Sequence, residues 1–131
     1  MNIEELRKIR NKNVAQQNEL SYLEMKQCME SLKVHPWVSS VLENYGQRTD
    51  GGILISLSDV PDQAGTLWYG SWLSVSKRFY NFEVLTNADS TKVIDVEAWQ
   101  EVVFDISAKS KGTGKTQAYI ALELLSEYTK S

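Results

Sequence analysis

Gly112-Thr113-Gly114-Lys115-Thr116 ends the way a nucleotide-binding phosphate loop ends, with a lysine and a hydroxyl side chain entering a helix. The complete pattern needs a glycine five residues before Gly114, to open the loop whose amides wrap the phosphates, and Lys109 stands there. Little sequence follows to build a parallel sheet and a magnesium-binding acid. The segment reads instead as a turn capping the last helix, with simple anion binding at that helix start as the lesser reading. His35 is the sole histidine, so a Ser-His-Asp triad would have to be assembled around it. Its place before Pro36, at a helix junction, suits a structural hydrogen bond at least as well as a general base. One histidine and a distant Cys28 cannot make a zinc site, and the acids lack calcium-loop spacing. No metal or cofactor is expected, and the chain reads as a non-enzyme.

Paired carboxylates are the remaining chemistry. Asp95 and Glu97 stand two apart in a segment that reads as a strand, which puts both on one face, and Glu83 on the neighbouring strand could join them. Buried together they could serve as general acid and base. Left in water they are the solvated face of an antiparallel sheet, and such a face is also what a basic partner recognises. The wider charge pattern favours the second reading. Residues 50–105 hold Asp50, Asp59, Asp62, Glu83, Asp89, Asp95, Glu97, Glu101 and Asp105 against Lys77, Arg78 and Lys92, a net of −6. Residues 1–12 and 106–131 each carry +2, and residues 13–49 carry −1. The negative charge therefore coincides with the stretch that holds most of the aromatic side chains.

The elements that must position these groups follow from the apolar period. Residues 2–33 lack Gly and Pro and are rich in helix formers, with stripes at Ile3, Leu6 and Ile9 and at Met25, Cys28, Met29 and Leu32. Asn11, Asn13 and Asn18 weaken the middle, so one long helix or two joined by a kink are both open. His35-Pro36 ends this stretch, and a short helix follows to about Asn44 with Trp37, Val38, Val41 and Leu42 inward. After the turn signal Asp50-Gly51-Gly52 the period becomes alternating. Strands are expected at Ile53–Ser58, at Thr66 to about Val75, from Lys77, and at Lys92–Trp99, with Val102 to Ile106 a continuation or a fifth. Pro61-Asp62 with Gly65, and Asn87–Ser90, mark turns. Thr116–Thr129 reads as a helix apolar over a wide arc, hence largely buried on the sheet. The expected fold is α+β: N-terminal helices, a four- to five-stranded antiparallel meander and a C-terminal helix packed on it.

Composition bounds the rest. With 131 residues, 42% hydrophobic and 24% charged, residues 1–131 form one ordinary globular domain. Cys28 has no internal disulfide partner, and its apolar neighbours suggest a buried structural thiol in a reducing compartment. The mixed-charge start, Met1 to Lys8, is no secretory signal, and no stretch approaches a membrane span. A cytoplasmic location is expected. The sequence pI of about 5.2 argues against direct nucleic-acid binding, which needs clustered Lys and Arg.

Trp68-Tyr69-Gly70-Ser71-Trp72, Phe82-Glu83-Val84 and Ile120-Ala121-Leu122-Glu123-Leu124, in a small acidic α+β chain without an enzyme motif, resemble the immunity proteins of bacterial contact-dependent inhibition and related polymorphic toxin systems. The resemblance is one of type and spans the whole chain. It implies binding and neutralisation of a cognate toxin domain, often a nuclease with a basic cleft. Exposed Trp and Tyr are enriched at binding hot spots, so the expected contact set combines Asp59, Asp62, Glu83, Asp89, Asp95 and Glu97 with Trp68 and Trp72. The alternative is a small ligand-binding or enzymatic domain whose sheet curls around a pocket lined by Trp, Tyr and a carboxylate. A structural subunit with a self-associating N-terminal helix is a third.

Overall fold

Of the asparagines that weaken the N-terminal helical stretch, Asn11 and Asn13 fall where it breaks, while Asn18 lies within the second helix. In a computed structural model that describes residues 1–103 and 116–129, α1 (Ile3–Lys8) is capped by Asn2 and α2 (Val14–Met29) by Asn13. Asn13 accepts from the Gln16 amide at 2.8 Å while Gln16 returns a bond to the Asn13 amide at 3.0 Å, a reciprocal cap that fixes where α2 starts. A single turn, α3 (Ser31–Val34), ends at His35, and Pro36 opens α4 (Pro36–Asn44). Trp37, Val38, Val41 and Leu42 are the buried side of α4, as their spacing requires.

Four strands follow, β1 (Ile53–Asp62), β2 (Gly65–Leu73), β3 (Phe79–Thr86) and β4 (Val93–Val102), then α5 (Gln117–Thr129). The strands form one antiparallel sheet in the order β1-β2-β3-β4, a meander with a helix on each face. The α+β architecture is therefore the expected one. β1 runs through Pro61 to Asp62, where the sequence suggests a turn. A proline is tolerated there because β1 is an edge strand, so its missing N–H removes no ladder bond. Val102 continues β4, while Phe104, Asp105, Ile106 and the Lys109 to Lys115 part of the glycine-containing loop lie outside the described residues.

The register sorts the strand residues into transverse rows. On the first face lie Leu54–Trp72–Tyr80–Glu101, Leu57–Gly70–Phe82–Trp99 and Asp59–Trp68–Val84–Val96. These rows pack under α4, with Cys28, Met29 and Leu32 reaching in from α2 and α3. The Phe82 ring lies against Gly70, where a Cβ would collide with it. Trp68 donates its indole N–H to the Thr86 hydroxyl at 3.0 Å, and that hydroxyl donates in turn to the Asn87 carbonyl at 3.0 Å. Thr86 is fully buried, so this chain satisfies polar groups that water cannot reach.

On the second face, Ile53–Leu73–Phe79–Val102 forms one apolar row across all four strands. It packs with Met25 of α2 and with Ala118, Ile120, Ala121, Leu124 and Leu125 of α5. Tyr119 and Tyr128 of α5 remain exposed, so the helix is buried over a narrower arc than its sequence suggests. Tyr22 of α2 donates to a Glu127 carboxylate oxygen of α5 at 2.7 Å, which ties the two helices together.

Two substitutions test this packing. Thr86→Val strands the Trp68 N–H and is expected to cost about 1–3 kcal/mol. Gly70→Ala forces the Phe82 ring aside and is expected to cost about 1–3 kcal/mol. Both should lower the urea midpoint without changing the slope, and an unchanged midpoint for either contradicts the packing described.

Candidate protein-binding face

Beyond the row under α5, the second face carries three more rows: Ser56–Ser71–Asn81–Gln100, Ser58–Tyr69–Glu83–Ala98 and Val60–Leu67–Leu85–Asp95. The first is polar throughout, and Ser71 bonds Asn81 across it at 2.8 Å. The outermost is an apolar strip that ends in a carboxylate. Val60 is 43% exposed and Tyr69 39%, and neither Leu67 nor Leu85 belongs to either packed cluster. These rows contain no lysine or arginine. An antiparallel sheet can leave one face to water, but four large apolar side chains beside two acids are more than solvation requires.

The expected contact residues divide between this face and elsewhere. Glu83 and Asp95 do share it. Glu97 does not follow from the count of two: a bulge makes it the extra residue between the Val84–Val96 and Glu83–Ala98 pairs, so Ala98 takes the place opposite Glu83. Asp59 pairs with Trp68 and belongs to the first face, at the exposed end of β1. Asp62 and Asp89 sit in the two turns at that same end of the sheet. Asp62 accepts from the Ala64 amide at 3.0 Å, and Asp89 accepts from the Thr91 hydroxyl at 2.7 Å. The turns touch, since Thr66 donates to the Ala88 carbonyl at 3.4 Å and Gly65, at φ +155°, lies against the Thr86–Asn87 backbone.

Trp68 and Trp72 correct the expectation. They are 7% and 0% exposed and fill the interior under α4, so neither can anchor a partner. Their parity with Gly70 and Phe82 places them on the covered face. The outward aromatic is Tyr69, one residue along, and with Val60, Leu67 and Leu85 it was missed in favour of the larger rings. Its parity with Glu83 across the β2–β3 pair was the signal that could have found it.

Electrostatically, Asp59, Asp62, Glu83, Asp89, Asp95 and Glu97 form no ion pair among the described residues. Two other acids of the segment are paired locally, Asp50 with Arg48 at 3.4 Å and Glu101 with Arg78 at 3.7 Å. Both of those pairs lie away from the uncovered rows. Within the two turns at that end, the acids stand beside a single cation, Lys92 of the β3–β4 turn.

The catalytic readings gain no geometry. The His35 ring lies 4.7 Å from that of Trp68 and makes no hydrogen bond among the described residues, neither the structural bond nor the catalytic one. No group of three His, Cys, Asp or Glu among the described residues could hold a metal. A cleft of about 510 Å³ opens between Arg78, Phe79, Glu101, Val102, Leu122 and Leu125, with no Trp or Tyr in its described lining. No helix among the described residues is long and apolar enough to cross a membrane. Comparison with protein-family models, with curated proteins and with solved structures returned no match.

Cys28 sits behind β1, and burial pushes its thiol up to about 11 from a usual 9.0. Its folded pKa is raised, so between pH 9 and 11 the unfolded chain loses this proton while the folded one keeps it. Stability should therefore fall as pH rises through that window. Tyr22, pushed up to about 12 by its bond to Glu127 and by burial, adds a similar loss that begins above its usual 10.0. In urea titrations from pH 9 to 10, Cys28→Ala is expected to flatten the decline. A decline of equal slope in the variant contradicts the burial assigned to the thiol.

Proposed function

We propose that this chain is a binding protein of the immunity type, which occupies and masks a basic surface on a toxin domain and carries out no chemistry of its own. What supports the reading is one observation: acids around an uncovered sheet face form no ion pair among the described residues, which hold ten of the chain's fourteen lysines and arginines. A structure selected only for stability would spread the two signs. Segregated charge instead speeds encounter with an oppositely charged partner, by about 10- to 1,000-fold at low salt.

The apolar strip supplies what charge cannot. Exposed carboxylates act over roughly a Debye length, about 8–10 Å, and are screened by salt, so they steer rather than hold. Burial of Val60, Leu67, Tyr69 and Leu85 on contact would slow dissociation. At about 4.8 Å between strands and 6.6 Å between rows, the three uncovered rows span roughly 400 Å². A standard interface uses about 800 Å² per partner, so the turns at Asp62 and Asp89 and the β4 edge at Glu97 complete the contact. A reducing cytoplasm suits the single suppressed thiol, and the acidic surface suits a nuclease cleft that otherwise holds phosphates.

Coexpression with the domain encoded by the adjacent upstream gene tests the proposal. A one-to-one complex is expected, whose association rate falls about tenfold or more between low and high salt. The double reversal Glu83→Lys/Asp95→Lys is expected to weaken it by at least about tenfold. A complex indifferent to both salt and reversal contradicts the proposal.

A further inference from the structure

We infer that the uncovered rows receive an amphipathic, lysine- or arginine-bearing helix of the partner, seated in the lane beside α5. The inference rests on the masking role just proposed and specifies what fits the face. A protein can add to a sheet at its edges or on its faces, and both edges here resist addition. The first half of β1 lies against α2, where the Leu54 amide already donates to the Met29 sulfur at 3.0 Å. The second half contains Pro61, which has no amide hydrogen to offer. Along the other edge, β4 carries two register breaks, at Ile94 and Glu97, with Asp95 and Glu97 beside them. Bulges and charges of this kind keep a neighbouring strand from pairing.

The face has the width for one more helix. Ile53, in the row under α5, and Val60, in the outermost row, pair with Leu73 and Leu67, six residues apart on β2, so the two rows lie about 20 Å apart along the strands. Helices pack about 8–10 Å apart, so α5 leaves a lane of roughly one helix diameter. The polar row Ser56–Ser71–Asn81–Gln100 marks the boundary between the lanes. Two helices side by side meet the sheet along their own axes and press least on the line between them, so this row keeps access to water. A second sheet laid flat on the face would instead bury Asn81 and Gln100 without assured partners.

Charge chooses the occupant. A second copy of this chain, docked face to face, would bring Glu83 and Asp95 toward the same acids, with no lysine or arginine in the rows of either copy. A helix with apolar residues at i, i+3, i+4 and i+7 can cover Val60, Leu67, Tyr69 and Leu85. Cations on its flanks then reach Glu83 and Asp95 on the β3–β4 side. An anionic helix, a nucleic acid or an anionic membrane meets the same acids and is repelled.

The test uses the whole chain, labelled with nitrogen-15, and two synthetic helical peptides that share a leucine stripe but carry lysine or glutamate flanks. The lysine peptide is expected to shift the amides of Val60, Leu67, Tyr69, Leu85 and Asp95, and the glutamate peptide to shift none of them. Leu67→Ser/Leu85→Ser, at half-exposed positions, should weaken that binding at least about tenfold, while Asp50→Asn/Glu101→Gln, at acids away from the uncovered rows, leaves it within about twofold. Circular dichroism of both variants establishes that the fold is retained. Shifts spread over acids on every side, or binding indifferent to the leucine variant, overturn the inference. A homodimer in sedimentation, dissociated by Leu85→Lys, overturns it in favour of a second copy. Should a basic partner protein bind and be lost only on charge reversal, masking stands and the helix fails. Loss on neither change removes the masking role as well.

Discussion

Burial of Trp68, Trp72 and Phe82 under α4 decides the direction of every other side chain in the sheet. Strand residues alternate, so once these rings are committed to one face, their neighbours have no freedom to join them. Tyr69, Leu67, Glu83 and Leu85 are outward because Trp68, Val84 and Phe82 are inward. The commitment is strong: Trp72 is fully buried, Phe82 occupies the space over Gly70, and Trp68 is hydrogen-bonded to a buried threonine. A one-residue slip would expose three large rings at once. The open face is thus a consequence of core packing, and its chemistry is whatever the alternate positions carry.

Those positions carry a graded surface. Near α5 the row is apolar and covered, next comes a row of serines and amides, and farthest out an apolar strip ends in an aspartate with no ion pair among the described residues. A helix already closes one end of the same face, so the pattern is that of a partly filled layer. The chain stabilises its own half with Ile53, Leu73, Phe79 and Val102. The other half offers adhesion and negative charge together, which a stable monomer does not need.

Much of this was legible in the sequence. The break in the N-terminal helical stretch was signalled by Asn11 and Asn13, its end by Pro36, and the meander by alternating runs between Gly- and Asn-containing turns. Three things were hidden. Pro61 looked like a turn because its tolerance depends on which strand is an edge, a property of the assembled sheet. Glu97 seemed to share a face with Asp95 because a bulge adds a residue that no local propensity announces. Trp68 and Trp72 read as binding anchors because exposed Trp is enriched at hot spots, although a strand with large groups of both parities does not say which set the helices will cover. That choice belongs to α4, whose Trp37, Val38, Val41 and Leu42 match the tryptophan side.

Carboxylate footprinting bears most directly on the claim that Glu83 and Asp95 stand unpaired on a face reserved for a basic protein. With a water-soluble carbodiimide and an amine, read by mass spectrometry, both should label readily in the free chain and become protected when the upstream-encoded domain is added. Glu24 and Asp50, each already held by an arginine, should show no change on complex formation. Equal labelling of Glu83 and Asp95 with and without the bound domain would contradict the account.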